Sequence, residues 1–268
     1  MKRKSMILFL LLAFCSGSAF AYQNTYAVIV GVADYQNLTA DDGDLVYTEK
    51  DAIAFYNFLK SKKGGSVPEE NLVLLTNSRA TKDNIINSSK ALFAKAKRND
   101  RVIFYFSGHG SKDCFLPYDF TEMGLNILYF KDVKSIFRSA HCNTKLLFAD
   151  ACFSGSMKNG LENNSEVQQN IAAGRSSSSN MKHIAVMMSC SDNETSIEAG
   201  DLHQGLFTYY LIKGLGGTAN TDGSKFVTIQ ELFYYVFHQV QDDAASRGYS
   251  QTPQLFGNFD LRLIVANI

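Results

Sequence analysis

Five continuous apolar runs constrain the fold of this chain more than any other feature of its sequence. They are Thr25–Val32, Asn71–Leu75, Arg101–Phe106, Lys145–Ala149 and Ile184–Met188. A strand with one face in water alternates apolar and polar residues, whereas these runs show no such alternation. Each run is therefore predicted to be a strand buried on both faces, which requires a sheet covered by helices on its two sides.

Segments with helical spacing separate these runs. Apolar residues recur every third position in Tyr47–Leu59, Thr81–Lys97 has a similar apolar face, and Lys131–Ser139 is a third candidate helix. Alternation of strand and helix is typical of parallel sheets with right-handed crossovers. The predicted fold class is α/β, with a mostly parallel central sheet flanked by helices in an α/β/α sandwich.

The rest of the chain continues this pattern of strands and helices, with one exception. Leu206–Leu215 is apolar nearly all round and is predicted to be a buried helix, while Leu261–Val265 is a candidate last strand. Thr228 and Glu231 have the spacing of a capping box at the start of an amphipathic helix. The exception is Ser156–Lys182, because a polar connection of this length inside a compact domain is usually functional or disordered.

Charge and composition exclude several classes of protein. The chain has 26 Lys and Arg against 26 Asp and Glu, and 46% of its residues are hydrophobic. A disordered chain combines low hydrophobicity with high net charge, and this chain has neither. Binding to nucleic acid normally requires a basic patch, so no nucleic-acid partner is expected.

The first 21 residues are predicted to be a secretory signal peptide. Cations at positions 2–4 precede an apolar stretch at 6–14, and small residues come just before a cleavage point after Ala21. The apolar stretch is too short to span a bilayer, so no stable membrane anchor is expected. Cys15 offers a lipoprotein alternative, which the bulky Phe14 before it disfavours. The mature chain, 22–268, is expected to be secreted or periplasmic.

The cysteines of the mature chain do not form a disulfide framework. Only Cys114, Cys142, Cys152 and Cys190 remain after the leader, too few to staple a domain of this size. A single bridge between Cys114 and Cys142 is one alternative, and burial of both as small apolar side chains is the favoured one. The spacings typical of structural zinc sites and zinc proteases do not occur, so no metal is expected.

A histidine and a cysteine follow two of the predicted strands directly. His109 lies in the segment SGHG after the strand at 101–106, and Cys152 lies in DACFSG after the strand at 145–149. Parallel strands present their carboxyl ends at one edge of a sheet, where ligands bind. A thiolate nucleophile, an imidazole that moves protons, and glycine backbone amides near a reacting carbonyl are the requirements of thiol catalysis. Alone, each residue is more often structural, but the combination favours a catalytic pair.

The two segments SGHG and DACFSG, in this order, resemble the motifs of the caspase-like cysteine peptidases, and in particular of their metacaspase-like branch. The resemblance implies a caspase-hemoglobinase fold over 22–268 with Cys152 and His109 as the catalytic dyad. It also implies that the backbone amides of Gly110 and Cys152 stabilise the oxyanion. The domain would consist of a large portion at about 22–157, a processing linker at about 156–182 and a small portion at about 183–268.

The same resemblance implies a specificity for Arg or Lys before the scissile bond. Asp150, Asp51 and Ser107 match the positions that line the first substrate pocket, and two carboxylates bind a guanidinium through charge-assisted hydrogen bonds. Asp51 as a helix N-terminal charge and Ser107 as a turn hydroxyl remain open alternatives. Asp192, after the next strand, either lines this pocket or caps a turn.

The sequence departs from the metacaspase pattern at the positions that bind calcium in many members. Only Asp113 and Asp119 lie in the short segment after the histidine, and Asn159 replaces the Asp expected seven positions after the nucleophile. Calcium requires a dense set of oxygen ligands. We therefore expect activity without calcium and without any other cofactor.

The polar linker contains three basic residues at which the enzyme could cut itself, Lys158, Arg175 and Lys182. Exposed polar chain is the usual site of proteolytic nicking, and cleavage is expected mainly after Arg175 or Lys158. The predicted function is an exported cysteine endopeptidase acting on proteins or peptides after basic residues. Two alternatives are a catalytically silent module that binds basic peptides and a related thiol hydrolase or ligase; retention of both Cys152 and His109 favours the peptidase.

Overall fold

The computed structural model of the chain describes residues 23–38, 43–111, 113–151, 184–191 and 194–268. Its centre is a six-stranded sheet. The strands are β1 (Thr25–Gly31), β2 (Leu72–Thr76), β3 (Arg101–Ser107), β4 (Thr144–Asp150), β5 (Ile184–Met188) and β6 (Gln254–Asn258). They are arranged in the order β6-β5-β4-β3-β1-β2, and only β6 runs antiparallel to its neighbour. The predicted mostly parallel sheet is confirmed.

Helices cover both faces of this sheet. They are α1 (Thr48–Lys60), α2 (Lys82–Phe93), α3 (Phe130–Ser139), α4 (Leu206–Lys213) and α5 (Ile229–Ser246). Successive residues of a strand point to opposite faces, so Ala27 and Ile29 pack on the side of α1, α4 and α5, while Val28 and Val30 pack on the side of α2 and α3. This double burial explains why the strands lack polar alternation.

Several element boundaries differ from the prediction, and one strand of the central sheet was not predicted. α2 ends at Phe93, short of Lys97, and Tyr47 is the residue before α1. β6 was not predicted because its sequence, QLFGN, is short and has only two large apolar residues. The candidate strand Leu261–Val265 is displaced to Ile264–Asn267, where it pairs with Phe226–Thr228 outside the central sheet.

The capping box at the start of α5 is confirmed. Thr228 Oγ1 accepts from the Glu231 amide at 3.2 Å, and the Glu231 carboxylate accepts from the Thr228 amide at 2.9 Å. Such reciprocal bonds satisfy amides that a helix leaves unpaired at its first turn. The helix therefore begins where its sequence signal places it.

Cys114, Cys142 and Cys190 are buried in the structure. Burial raises the pKa of the Cys114 and Cys142 thiols, so both remain protonated. This agrees with the favoured interpretation of these residues as small apolar side chains, and Cys114 and Cys142 form no bridge. In the part of the chain that the structure describes, no helix is both long enough and apolar enough to cross a membrane.

Candidate active site

The carboxyl ends of β3 and β4 bring the two predicted catalytic segments side by side. Ser107 and Asp150 are the last residues of these strands and are paired in register. The Gly108 amide donates to the Asp150 carbonyl oxygen at 3.1 Å, which continues the pairing beyond the strands. Segments that leave paired strand ends start from neighbouring positions on the edge of the sheet. The chain thus directs His109 and Ala151 to the same region.

The residue before the predicted nucleophile is held firmly. Ser189, which is fully buried, accepts from the Ala151 amide at 3.1 Å and donates to the Ala151 carbonyl oxygen at 3.0 Å. One side chain therefore fixes both backbone groups of Ala151. Cys152 itself lies outside the described residues, so its position relative to His109 stays a prediction.

His109 is oriented by the loop that follows β1. Its backbone amide donates to Tyr35 Oη at 2.7 Å, and its ring packs against the Tyr35 ring with centroids 5.1 Å apart. Its Nε2 atom forms a short hydrogen bond with the Gly43 carbonyl oxygen. A carbonyl oxygen only accepts, so Nε2 carries the proton. In the neutral ring, this leaves the lone pair on Nδ1 as the proton acceptor.

Gly110 follows His109 in a short strand. Gly110–Ser111 pairs with Cys114–Phe115, and the Leu116 amide donates to the His109 carbonyl oxygen at 3.0 Å. These bonds fix the backbone on either side of the histidine. The role of Gly110 as an oxyanion donor stays a prediction.

The three predicted pocket residues lie together and are buried. Asp51, in the first turn of α1, is completely inaccessible, as is Ser107, and Asp150 is 5% exposed. Ser107 Oγ donates to Asp51 Oδ2 at 3.0 Å. Asp51 does lie at the helix N-terminus, as its alternative interpretation expects, and Ser107 is the last residue of β3, so the pocket role of both residues stays a prediction.

Main-chain amides of the segment before and within α4 also bind the two carboxylates. The Gly205 amide donates to Asp51 Oδ1 at 2.9 Å, and the Thr208 amide donates to Asp150 Oδ2 at 3.0 Å. Asp150 also accepts from the hydroxyls of Thr208, at 2.7 Å, and Ser196. Both acids therefore accept hydrogen bonds from residues that follow the long polar linker in the sequence.

The two carboxylates lie close to each other beside Gly205. A side-chain carbon built on Gly205 would lie 2.8 Å from Asp51 Oδ2 and still closer to Asp150 Oδ2, so these oxygens are at most twice that distance apart. Within the described ranges, no Lys or Arg forms an ion pair with either acid. Among the described residues, the two acids thus form a buried pair to which no cation is bonded.

Burial and proximity change the titration of this pair. Burial raises the pKa of Asp51 well above its ordinary range, and the nearby Asp150 raises it further. Burial also raises the pKa of Asp150, although hydrogen bonds from Ser196 and Thr208 lower it. Two buried carboxyls so close together resist simultaneous ionisation. A cation placed between them would favour the ionised form of both.

A buried tyrosine extends the hydrogen bonds of the pair into the core. Tyr105 Oη lies 2.6 Å from Thr208 Oγ1, whose single proton is used on Asp150. Tyr105 is therefore the donor to Thr208. Burial and the two carboxylates raise the pKa of Tyr105 well above its ordinary value, which keeps this donor protonated.

Glu198 connects the pocket to the start of α1. Its carboxylate accepts from the Val46 amide at 3.0 Å and from the Tyr47 amide at 2.6 Å. An acid near a helix N-terminus is favourable because the first amides there are unpaired. Glu198 and Gly205 belong to one hairpin, Glu198–Ala199 with Gln204–Gly205, so this hairpin is attached to α1 at both of its strands.

Most of the remaining predicted site residues lie outside the part of the chain that the structure describes. Cys152, Asp192, Lys158, Arg175 and Lys182 lie outside the described residues. Asp119 accepts from the first amide of α2, that of Lys82, at 2.8 Å. Across the described positions, no group of three or more His, Cys, Asp or Glu side chains is arranged to hold a metal ion.

Sequence comparison assigns the chain to a family. The profile of the family described as Caspase domain matches residues 24–262. A probable protease from a Desulfuromonadales bacterium is 29% identical over 150 residues, which are 47% of this chain and 18% of that protein. Metacaspase-1 from Debaryomyces hansenii is 35% identical over 105 residues, 35% of this chain and 22% of that protein. The matched segments thus span about a fifth of the length of these relatives.

Solved structures share the fold at low sequence identity. Caspase-1 from Spodoptera frugiperda superimposes with a TM-score of 0.60 at 12% identity, covering 91% of this chain and 90% of that one. A Geobacter sulfurreducens protein superimposes with a TM-score of 0.57 at 15% identity, covering 88% and 94%. The chain belongs to the caspase-domain family of cysteine peptidases, and the predicted resemblance and fold are confirmed.

Proposed function

We propose that this caspase-domain protein is an exported endopeptidase that cleaves peptide bonds after Arg or Lys. The observation that carries the specificity is the buried acid pair Asp51 and Asp150, which has hydrogen-bond donors around it but no cation among the described residues. Burying like charges together is costly unless a counter-charge arrives. A substrate guanidinium or ammonium provides that charge, whereas an acidic substrate side chain is repelled.

The catalytic step uses Cys152 and His109. Nδ1 of His109, left as the acceptor by the bond from Nε2 to the Gly43 carbonyl, takes the thiol proton. The thiolate then attacks the carbonyl carbon of the residue held by the acid pair, and the protonated imidazole donates to the leaving amine. Water hydrolyses the resulting thioester, with His109 as the base.

Backbone amides stabilise the charge that develops on the carbonyl oxygen. We assign this role to the amides of Gly110 and Cys152, which belong to the segments after β3 and β4. The support is that both neighbours are fixed: His109 through Tyr35, and Ala151 through Ser189. Donors that are already oriented need no reorganisation during the reaction, which is the main requirement of such a site.

Export and self-processing complete the proposal. The leader at 1–21 directs the chain out of the cytoplasm, and the enzyme cuts its own linker after Arg175 or Lys158. Both residues meet the proposed specificity for a basic side chain. The substrates are proteins or peptides with Arg or Lys before the cleaved bond.

The proposal is tested with purified 22–268 and peptides that differ only in the residue before the scissile bond. We expect turnover with Arg or Lys, and none with Asp or Gln at the same position. Cys152→Ala should abolish turnover without loss of folding. Cys142→Ser, which replaces a buried free thiol and keeps a donor toward the Thr144 carbonyl, is the matched control and should retain activity. Turnover by Cys152→Ala, or an equal rate on the Gln peptide, contradicts the proposal.

A further inference from the structure

Gly205, which lies beside both acids, has no space for a side chain. Its backbone lies at φ −62° and ψ 137°, a conformation open to any residue. A side-chain carbon would, however, lie 2.8 Å from Asp51 Oδ2 and closer to Asp150 Oδ2, well inside van der Waals contact. The backbone conformation at position 205 would therefore suit another residue, but there is no space for its side chain.

Gly205 is also the N-cap of α4, a position where Ser, Thr, Asp or Asn provides a capping side chain and where Gly, which provides none, is also common. A capping side chain would accept from the amide three residues later, which is that of Thr208. In this structure no side chain of the N-cap does so, and the Thr208 amide donates to Asp150 instead. Asp150, from the end of β4, thus provides the cap that Gly205 lacks.

We propose that Gly205 is a positioning residue for the specificity pocket: because it has no side chain, it leaves the Thr208 amide to Asp150 and lets the two carboxylates lie side by side. This inference rests on the proposed function, since it assigns the geometry of the same acid pair. It predicts that a residue able to cap α4 from position 205 takes the Thr208 amide away from Asp150. The position of the Asp150 carboxylate in the pocket would then change, while the helix stays intact.

Gly205→Ser separates this role from a merely structural one. Serine adds a carbon in the occupied space and an oxygen that competes for the Thr208 amide. Gly205→Ala adds the carbon alone. Gly200→Ala is the matched control, because Gly200 lies in the turn of the same hairpin and its added carbon meets only Tyr47 Oη at 3.7 Å.

The experiment compares these variants for kcat and KM on an Arg peptide and for the rate of Cys152 alkylation by iodoacetamide, which needs no pocket. We expect kcat/KM of Gly205→Ser to fall at least 10-fold, mainly through KM, with the alkylation rate within 2-fold of wild type. Gly205→Ala should behave similarly, and Gly200→Ala should match wild type. Wild-type KM in folded Gly205→Ser, or failure of both Gly205 variants to fold, overturns the inference.

A second measurement keeps this inference distinct from the proposed function. The carboxyl carbon of Asp150 is titrated by ¹³C NMR in a Cys152→Ala background, with and without Gly205→Ser. We expect the titration midpoint of Asp150 to move, because the variant removes a hydrogen bond to the ionised form. If wild type cuts no basic peptide, the proposed function fails. If the midpoint does not move, the inference about Gly205 fails.

Discussion

Replacement of Asp51 by Asn should stabilise the protein while impairing its proposed activity. The side chain is completely buried, lies close to Asp150 and has no cation partner in the described residues. Asparagine has the same shape and keeps an oxygen for the Gly205 amide. Its NH₂ group replaces the oxygen that accepts from Ser107, whose hydroxyl can accept in turn.

The size of the effect follows from the distance between the acids. The two oxygens are less than about 5.6 Å apart, twice the 2.8 Å distance from Gly205, and two unit charges within that distance repel by at least about 3 kcal/mol at an effective dielectric constant of about 20. Protonation of the pair relieves part of this repulsion. We therefore expect Asp51→Asn to raise the free energy of unfolding by about 1–3 kcal/mol at pH 8.

The gain should depend on pH in one direction. Because burial raises the pKa values of Asp51 and Asp150 above those of the unfolded chain, the folded protein holds more protons than the unfolded one above about pH 4. Stability therefore falls as pH rises from about pH 4 through the raised pKa values. Below about pH 4 the acids are protonated in both states, and the advantage of Asp51→Asn should disappear.

Urea unfolding at pH 4 and pH 8 measures the stability change, in a Cys152→Ala background that prevents self-cleavage. In the active background, kcat/KM on an Arg peptide should fall about 10–150-fold, the loss of one charge-assisted hydrogen bond of about 1.5–3 kcal/mol. Glu49→Gln removes a charge from the same turn of α1 and should change neither quantity. An Asp51→Asn protein less stable than its parent at pH 8, or fully active on Arg, refutes the reasoning.

Three further predictions test other parts of the site. Ser189→Ala removes the acceptor of the buried Ala151 amide and leaves the Ala151 carbonyl to the weaker Cys190 thiol, and it should cost about 1–3 kcal/mol in urea unfolding, with kcat reduced more than KM is changed; unchanged kcat would contradict the role given to Ser189. Tyr105→Phe removes a donor to Thr208 and should cost about 1 kcal/mol in the same assay, with Arg still preferred over Gln. Replacement of both Arg175 and Lys158 by Gln should leave the purified enzyme as one intact band on a denaturing gel, and processing at the wild-type position would exclude both cuts.

The sequence predicts the framework of the site better than its details. The five buried strands could be identified from apolar runs, and the positions of His109, Ser107 and Asp150 followed from strand ends. The group that orients His109 could not be found this way, because the contact is with the main-chain carbonyl of Gly43, which any residue could provide. Every residue has a main-chain carbonyl, so the residue type at position 43 does not indicate this contact.

The partners of the acid pair escaped prediction for a related reason. Thr208 is 58 residues from Asp150 along the chain, and Gly205 is 154 residues from Asp51. Their spacing therefore carries no local signal. Gly205 offered one clue, since a glycine at the start of a buried apolar helix lacks the usual capping side chain. Only the folded structure shows that Asp150, which is distant in sequence, takes the place of the missing capping side chain.

The position of β5 has a consequence for the integrity of the molecule after a cut in the linker. β5 follows the linker in the chain, yet it lies between β4 and β6 and pairs along its length with β4. Two fragments made by such a cut would remain joined through continuous strand pairing and a shared apolar interior. They should therefore co-purify under native conditions and separate only in denaturant, and separately expressed halves should reassemble when refolded together.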